Sequence, residues 1–228
     1  MDRRHFATLA LGATALASGG GVANAAAVPT EWDGLVRVTS KRLKYVYLLP
    51  GADFRAYTKV ILGPTQIAFR KDWQRNYNST VMGLSGRVTD ADVQQAIVYG
   101  TKMAGDAFAA AFAAGGYPLV NDPASDVLVI ASAIINLQVT SPDTRSAGRS
   151  QTFSSVAGAA TMVVEARDSM TNALLGRAID PQVAGDTGGM FPRNRMTNQN
   201  DFGALAKTWA TASVNGLSEL KRLSPIAG

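Results

Sequence analysis

Five aspartates are the side chains best suited by type and position to acid–base chemistry. Asp122 and Asp126 bracket a turn, Asp168 sits in a hairpin turn, and Asp180 and Asp186 belong to a long loop. A glycosidase needs only two carboxylates, held roughly 5–9 Å apart across the scissile bond. Aspartate is also a common turn residue, because its side chain accepts hydrogen bonds from nearby backbone amides, and turn duty accounts for all five positions. A second stretch, Gly185 to Gly189 (GDTGG), offers backbone amides to a phosphate. It lacks the Lys-Ser/Thr ending of a phosphate loop and does not open directly into a helix. Arg193 and Arg195 in the same loop could fork onto an anion. Trp73, Tyr77 and Trp209 could line a sugar or peptide site, although their spacing fits core anchoring. No EF-hand spacing is present, so neither a metal nor a cofactor is expected.

Composition narrows the chemistry further. The 228 residues contain no cysteine and a single histidine, His5. Without cysteine there are no disulfides, thiolate nucleophiles or Cys-type zinc sites. If the first 25 residues are removed, His5 goes with them, and Ser-His-Asp triads and His-ligated metals are excluded as well. That removal takes two of the 22 basic and one of the 17 acidic residues, leaving a net charge of +4 instead of +5. The basic residues are scattered, so a nucleic-acid-binding arm is not indicated. An anionic ligand or an envelope protein partner is compatible with this charge.

The N-terminus carries an address. Arg3, Arg4 and Phe6 precede an apolar run of about a dozen residues, too short to span a bilayer of roughly 30 Å. Small residues follow, and Ala23-Asn24-Ala25 fits an A-x-A cleavage site. Residues 1–25 therefore read as a signal peptide of the twin-arginine type. Residues 26–228 read as one globular domain, exported to the periplasm or otherwise beyond the cytoplasm. No second apolar run is long enough for a membrane helix, and the exported chain is expected to be soluble.

The elements that must position any site are legible as patterns. Val127 to Val139 (VLVIASAIINLQV) has an apolar residue at every odd position, which predicts a central strand with its odd side toward a core. Its even side turns polar at Ser132, Asn136 and Gln138. Before it, Lys44 to Leu49 predicts a strand ended by Pro50-Gly51. Lys59 to Phe69 predicts a second, interrupted by Gly63-Pro64 and hence an edge strand or a bulge. Residues 70–86 read as irregular. Thr89 and Asp92 predict a helix start, the stripe from Val93 to Phe112 its body and Gly115-Gly116 its end. The alanines and glycines of that stripe predict close packing onto a sheet. Tyr117 to Val120 predicts a short strand, and residues 141–155 a polar connection. Thr161–Arg167 and Leu174–Ile179 predict a hairpin closed at Asp168–Asn172. Residues 181–200 read as a loop. Asn198 with Asp201 predicts the cap of a last helix carrying Phe202, Leu205 and Trp209. Strand and helix order together predict an α+β fold, a mostly antiparallel sheet with two amphipathic helices packed on one face.

Several stretches resemble a known family. They are Trp32-Asp33-Gly34-Leu35, the run LLPGADFRAYTKV with Ile67-Ala68-Phe69, Asp126-Val127-Leu128 and Glu165-Ala166-Arg167-Asp168-Ser169. Together they are similar to the bacterial domain-of-unknown-function family numbered 3313, over most of the chain after residue 25. The resemblance implies an exported and often lipid-anchored protein, and it implies no catalytic residues. No lipobox cysteine is present here to carry a lipid.

The function expected from the sequence is a non-enzymatic, partner- or ligand-binding protein of the bacterial envelope. The alternative is a carboxylate-dependent hydrolase acting on envelope polysaccharide. The binding surface is expected where the polar end of the central strand meets the arginine-bearing segments. It comprises Asn136, Gln138, Arg145, Arg149, Arg193 and Arg195.

Overall fold

The computed structural model describes residues 28–81, 86–142, 152–186 and 188–227. Arg3, Arg4, Phe6, Ala23 and Ala25 of the expected signal peptide, and Arg145 and Arg149 of the expected surface, lie outside the described residues.

The fold is α+β, as the element order predicts. Its strands in chain order are β1 (Glu31–Trp32), β2 (Leu35–Val38), β3 (Tyr45–Leu48), β4 (Lys59–Leu62), β5 (Gln66–Phe69) and β6 (Val127–Val139), followed by β7 (Thr152–Ser154), β8 (Gly158–Asp168), β9 (Leu174–Ala184) and β10 (Phe191–Arg193). Eight of them make one sheet in the order β1-β2-β3-β9-β8-β6, with β4 and β5 paired in succession along the outer edge of β6. All pairings are antiparallel except those of β4 and β5 with β6. The Gly63-Pro64 break works as its chemistry requires. Gly63 N donates to Ile130 O at 2.9 Å, and β5 resumes two residues later, on the edge where proline's missing donor is tolerated. β7 and β10 pair separately as a small second sheet.

Three helices complete the fold: α1 (Trp73–Thr80), α2 (Asp90–Ala114) and α3 (Arg195–Leu223). α2 starts with the predicted box, in which Thr89 Oγ1 accepts from Asp92 N and Asp92 Oδ2 accepts from Thr89 N. It stops at Gly115, and Gly116 takes a φ of +83°. Its small-residue stripe lets it lie close to the sheet: a Cβ on Gly100 would stand 2.7 Å from Ile67 Cδ1. α2 and α3 run side by side in one direction, with Met103 beside Gly203 and Gly115 beside Val214. Phe108 and Phe112 of α2, Trp209 and Leu217 of α3, and Met162, Val164, Leu128, Ile130 and Ile134 of the sheet form the core.

Six sequence expectations need correction. The core side of β6 is the even one: Leu128, Ile130 and Ile134 meet the helices, while Val129, Ala131 and Ile135 lie half-buried on the opposite face. A bulge then changes the parity. Asn136 adopts a φ of +53°, the pairing with β8 shifts between Ile135 and Gln138, and Leu137 turns onto the core side. A strict period of two cannot reveal such a slip. Residues 73–80 are helical rather than irregular. The sequence WQRNYNST is rich in weak helix formers, and tertiary contact overrides it: Trp73 stacks on Phe69 and on Tyr77, and its Nε1 donates to Val139 O. Residues 117–120 make a single parallel bridge, Leu119 to Val60, instead of a strand. Pro181 is inside β9, which runs to Ala184, and β7 forms within the expected polar connection. The last helix is capped by Asn194 and Thr197, a reciprocal pair four residues ahead of the expected one.

Candidate functional site

Seven strands abreast span roughly 30 Å. Two helices packed about 8–10 Å apart cover only part of that width. The mismatch leaves apolar clefts beside the helix pair. One lies where the N-terminal halves of α2 and α3 stand over the ends of β5 and β6. It has a volume of 590 Å³ and is walled by Ile67, Phe69, Ile134, Leu137, Met103 and Phe202. The other, of 470 Å³, lies between α3 and β2–β3, walled by Val38, Leu43, Leu217 and Leu220. Arg42 and Glu219 bridge its rim at 3.3 Å.

The sequence builds the first cleft from parts that serve other ends. The β6 bulge brings both Leu137 and Val139 to its wall. The stack of Phe69 on Trp73, with ring centroids 4.6 Å apart, closes its far side. Gly100 admits Ile67 where a larger residue would fill the space. Tyr99 and Val98 of α2, at its margin, are exposed to 46% and 69%. One polar group stands out in the wall. Asn198 is 7% exposed, and its Nδ2 donates to Ser141 O at 2.9 Å. That bond fixes the orientation of the amide, since a carbonyl accepts only from the nitrogen. Asn198 Oδ1 is then buried without a donor.

The expected surface residues separate in three dimensions. Arg195 lines the first cleft. Asn136 is exposed at the bulge, and Gln138 Oε1 accepts from Arg70 at 3.1 Å. Arg193 is not on a surface. Its guanidinium is buried, pairs with Asp201, and donates to Ser154 O and Gly185 O, which ties β10 and the 185 turn to α3. The arginine-to-anion reading therefore loses Arg193 to a structural pair. Sequence reasoning missed Asn198 as a site residue by assigning it to a cap. It also missed the apolar wall, whose members read as ordinary core.

The aspartates have local work. Asp168 accepts from Met170 N and Thr171 N, which close the hairpin, and from Tyr57 Oη at 2.9 Å. Those bonds, the Thr171 amide foremost, hold its carboxyl below the usual range. Burial, with the bond to Asp168, pushes the Tyr57 phenol up to about 12. Asp126 bridges Lys59 at 2.9 Å, and that contact with the Thr58 hydroxyl lowers it as well. Asp180 is buried and accepts from Trp209 Nε1 and Lys44 N. Asp186 accepts from Gly188 N, and Asp122 is exposed.

A charged network on the outer face of the sheet went unread in the sequence. Glu165 and Arg177 are direct cross-strand partners, and Arg177 donates twice to Glu165 Oε1, at 2.7 and 2.9 Å. Arg167 donates twice to Glu165 Oε2. Arg177 also bridges Asp33 at 2.8 Å and lies 4.3 Å from the Trp32 ring centroid. Every group in this network has a partner, and it clamps the β1–β2 hairpin to the sheet.

Among the described residues, no helix is long and apolar enough to cross a membrane, and no group of three or more His, Cys, Asp or Glu is arranged to hold a metal ion. The family described as "Protein of unknown function (DUF3313)" matches residues 28–213. No curated protein matches the chain. Among solved structures, the chain is similar to a PelC dodecamer from Paraburkholderia phytofirmans, at 16% identity and a TM-score of 0.37, covering 77% of this chain and 96% of that one. It is similar to a DUF330 protein from Xanthomonas campestris at 11% identity and a TM-score of 0.39, covering 76% and 88%. It is also similar to a DUF4136 family protein from Bacteroides thetaiotaomicron at 11% identity and a TM-score of 0.38, covering 83% and 98%.

Proposed function

The chain belongs to the DUF3313 family of proteins of unknown function, and from that premise we propose that it is an exported bacterial envelope protein that binds a small apolar ligand without chemical turnover. The observation that carries this reading is the 590 Å³ apolar cleft between the N-terminal halves of α2 and α3. Its volume falls in the range of small-molecule sites, and the margin residues Val98 and Tyr99 leave apolar surface exposed at it. An anionic ligand is less well served, because Arg193 is neutralised by Asp201. The hydrolase alternative is not carried forward: Asp126, Asp168 and Asp180 each serve turn, ion-pair or core hydrogen bonds.

Binding is tested with the fluorescent probe N-phenyl-1-naphthylamine. The purified chain should take it up saturably, with one site. Ala96→Trp, which adds bulk at an exposed position on the α2 wall, should weaken uptake at least tenfold. Non-saturable uptake, or uptake indifferent to Ala96→Trp, rejects the cleft as the site. Export is supported by Arg3, Arg4, Phe6 and the Ala23-Asn24-Ala25 site. Replacing Arg3 and Arg4 by lysines should leave precursor in the cytoplasm, and unchanged export would reject the twin-arginine route.

A further inference from the structure

The second cleft, of 470 Å³ between α3 and β2–β3, is bordered by the turn that joins those two strands. Three sets of contacts fix this turn in place. Ser40 Oγ accepts from the backbone amides of Arg42 and Leu43, Lys44 N donates to Asp180 Oδ1, and the Leu43 side chain is buried in the core. Lys41 and Arg42 of the turn are exposed and line the cleft. Lys41 has no ion-pair or hydrogen-bond partner among the described residues. Arg42 reaches Glu219 through Nε alone, at 3.3 Å, which leaves both terminal guanidinium nitrogens open. The two side chains of that pair are 42% and 44% exposed, and an ion pair so exposed is weak enough for an incoming anion to displace. Two cations therefore face one carboxylate at the rim. The negative end of α3 is offset by Lys221 and Arg222 in its own last turn.

The α3 wall carries a second pointer. Gly216 lies inside the helix, where glycine is less stable than alanine. Packing explains the other glycine of this helix, since Met103 Sδ would stand 3.4 Å from a Cβ on Gly203. A Cβ on Gly216 would meet no other described segment within 4 Å, and the residue lines the cleft. The fold makes no use of the space that this glycine leaves, and a ligand approaching the helix backbone would.

We infer that the second cleft takes up one alkyl chain bearing an anionic head group, as a free amphiphile from solution. The chain lies against Val38, Leu43, Leu217 and Leu220 and over Gly216, and its burial supplies the driving force. The head group pairs with Lys41 and with the terminal nitrogens of Arg42. An alcohol of equal length leaves both cations unused, and a cationic head group is repelled by them. This site is separate from the first cleft and does not depend on the ligand proposed there.

Isothermal titration at neutral pH compares decanoate, 1-decanol and decylammonium, each below its aggregation limit. It is run on the purified chain and on Ala96→Trp, whose first cleft is obstructed. In Ala96→Trp decanoate should bind about tenfold more tightly than decanol, and decylammonium more weakly than either. The preference for decanoate should shrink at high salt and vanish when Lys41 and Arg42 are both replaced by glutamine. Glu219→Gln should raise decanoate affinity severalfold and leave decanol unchanged. Gly216→Phe should prevent uptake at this site without lowering the melting temperature. Equal affinities for decanoate and decanol in Ala96→Trp, or a decanoate affinity indifferent to the two glutamines, overturn the anionic head group. Decanoate uptake that survives Gly216→Phe and is lost in Ala96→Trp overturns the site. Absence of decanoate uptake overturns the whole inference, even if the chain sediments with phosphatidylglycerol vesicles. The glutamine substitutions are at exposed positions and decide the matter even if Gly216→Phe does not fold.

Discussion

Arg177 and Glu165 are each almost wholly buried, with side chains 7% and 5% exposed, on the face of the sheet away from the helices. Two charges there are tolerable because five guanidinium bonds from Arg177 and Arg167, and the Trp32 ring, replace the lost water. Removing one member leaves the rest buried and underpaired. Arg177→Ala should therefore cost about 3–5 kcal/mol in urea unfolding, and Arg177→Lys should recover only part, since a lysine cannot fork. Tyr57 makes a prediction at high pH. Its phenol is raised to about 12 in the folded chain, from an ordinary value of 10.0, by burial and the bond to Asp168. Between those values the unfolded chain has lost the proton and the folded chain keeps it, so folding is favoured by protonation. The contribution is complete below pH 10 and is lost as pH rises through about 12. Tyr57→Phe should flatten the fall in stability between pH 10 and 12, measured by unfolding at a series of pH values.

The bulge in β6 has the largest consequence of any single irregularity in the elements. By turning Leu137 onto the helix side it finishes the wall of the cleft, and by shifting the β8 register it brings Gln138 O against Gly158. Asn136 tolerates its φ of +53° because a short polar side chain clashes little there, whereas a β-branched one clashes with its own backbone. Asn136→Gly should be neutral or slightly stabilising. Asn136→Val should lose about 1–2 kcal/mol and weaken probe binding in the cleft, with thermal unfolding and the fluorescence titration as the measurements. The β1–β2 hairpin turns on Asp33 and Gly34, both at positive φ. Asp-Gly between β-formers is a strong hairpin signal. That signal stands in the sequence at Asp33-Gly34.

At the scale of the molecule, the core runs unbroken from the sheet through α2 to α3, and the last residues return to it: Ile226 N and O bond Ala52 O and Gly51 N. Residues 28–227 should accordingly unfold as one unit. Tryptophan fluorescence and far-UV circular dichroism should give coincident transitions in denaturant, and separated transitions would divide the chain into independent parts. The clefts are also a property of this scale, set by a sheet wider than the helix pair laid on it.

Local chemistry by itself determined the α+β class, the α2 boundaries, the break at Gly63-Pro64 and the β8–β9 hairpin. Caps, prolines, glycines and alternation act over a few residues, and the sequence displays them directly. Only the tertiary structure decided which face of β6 meets the helices, that residues 73–80 form a helix, that Arg193 is buried against Asp201, and that Asn198 is buried with its Oδ1 unpartnered. Each of these depends on contacts between segments far apart in the chain. The bulge at Asn136 inverts a pattern that is otherwise regular, and the orphan oxygen exists only because Ser141 claims the nitrogen beside it.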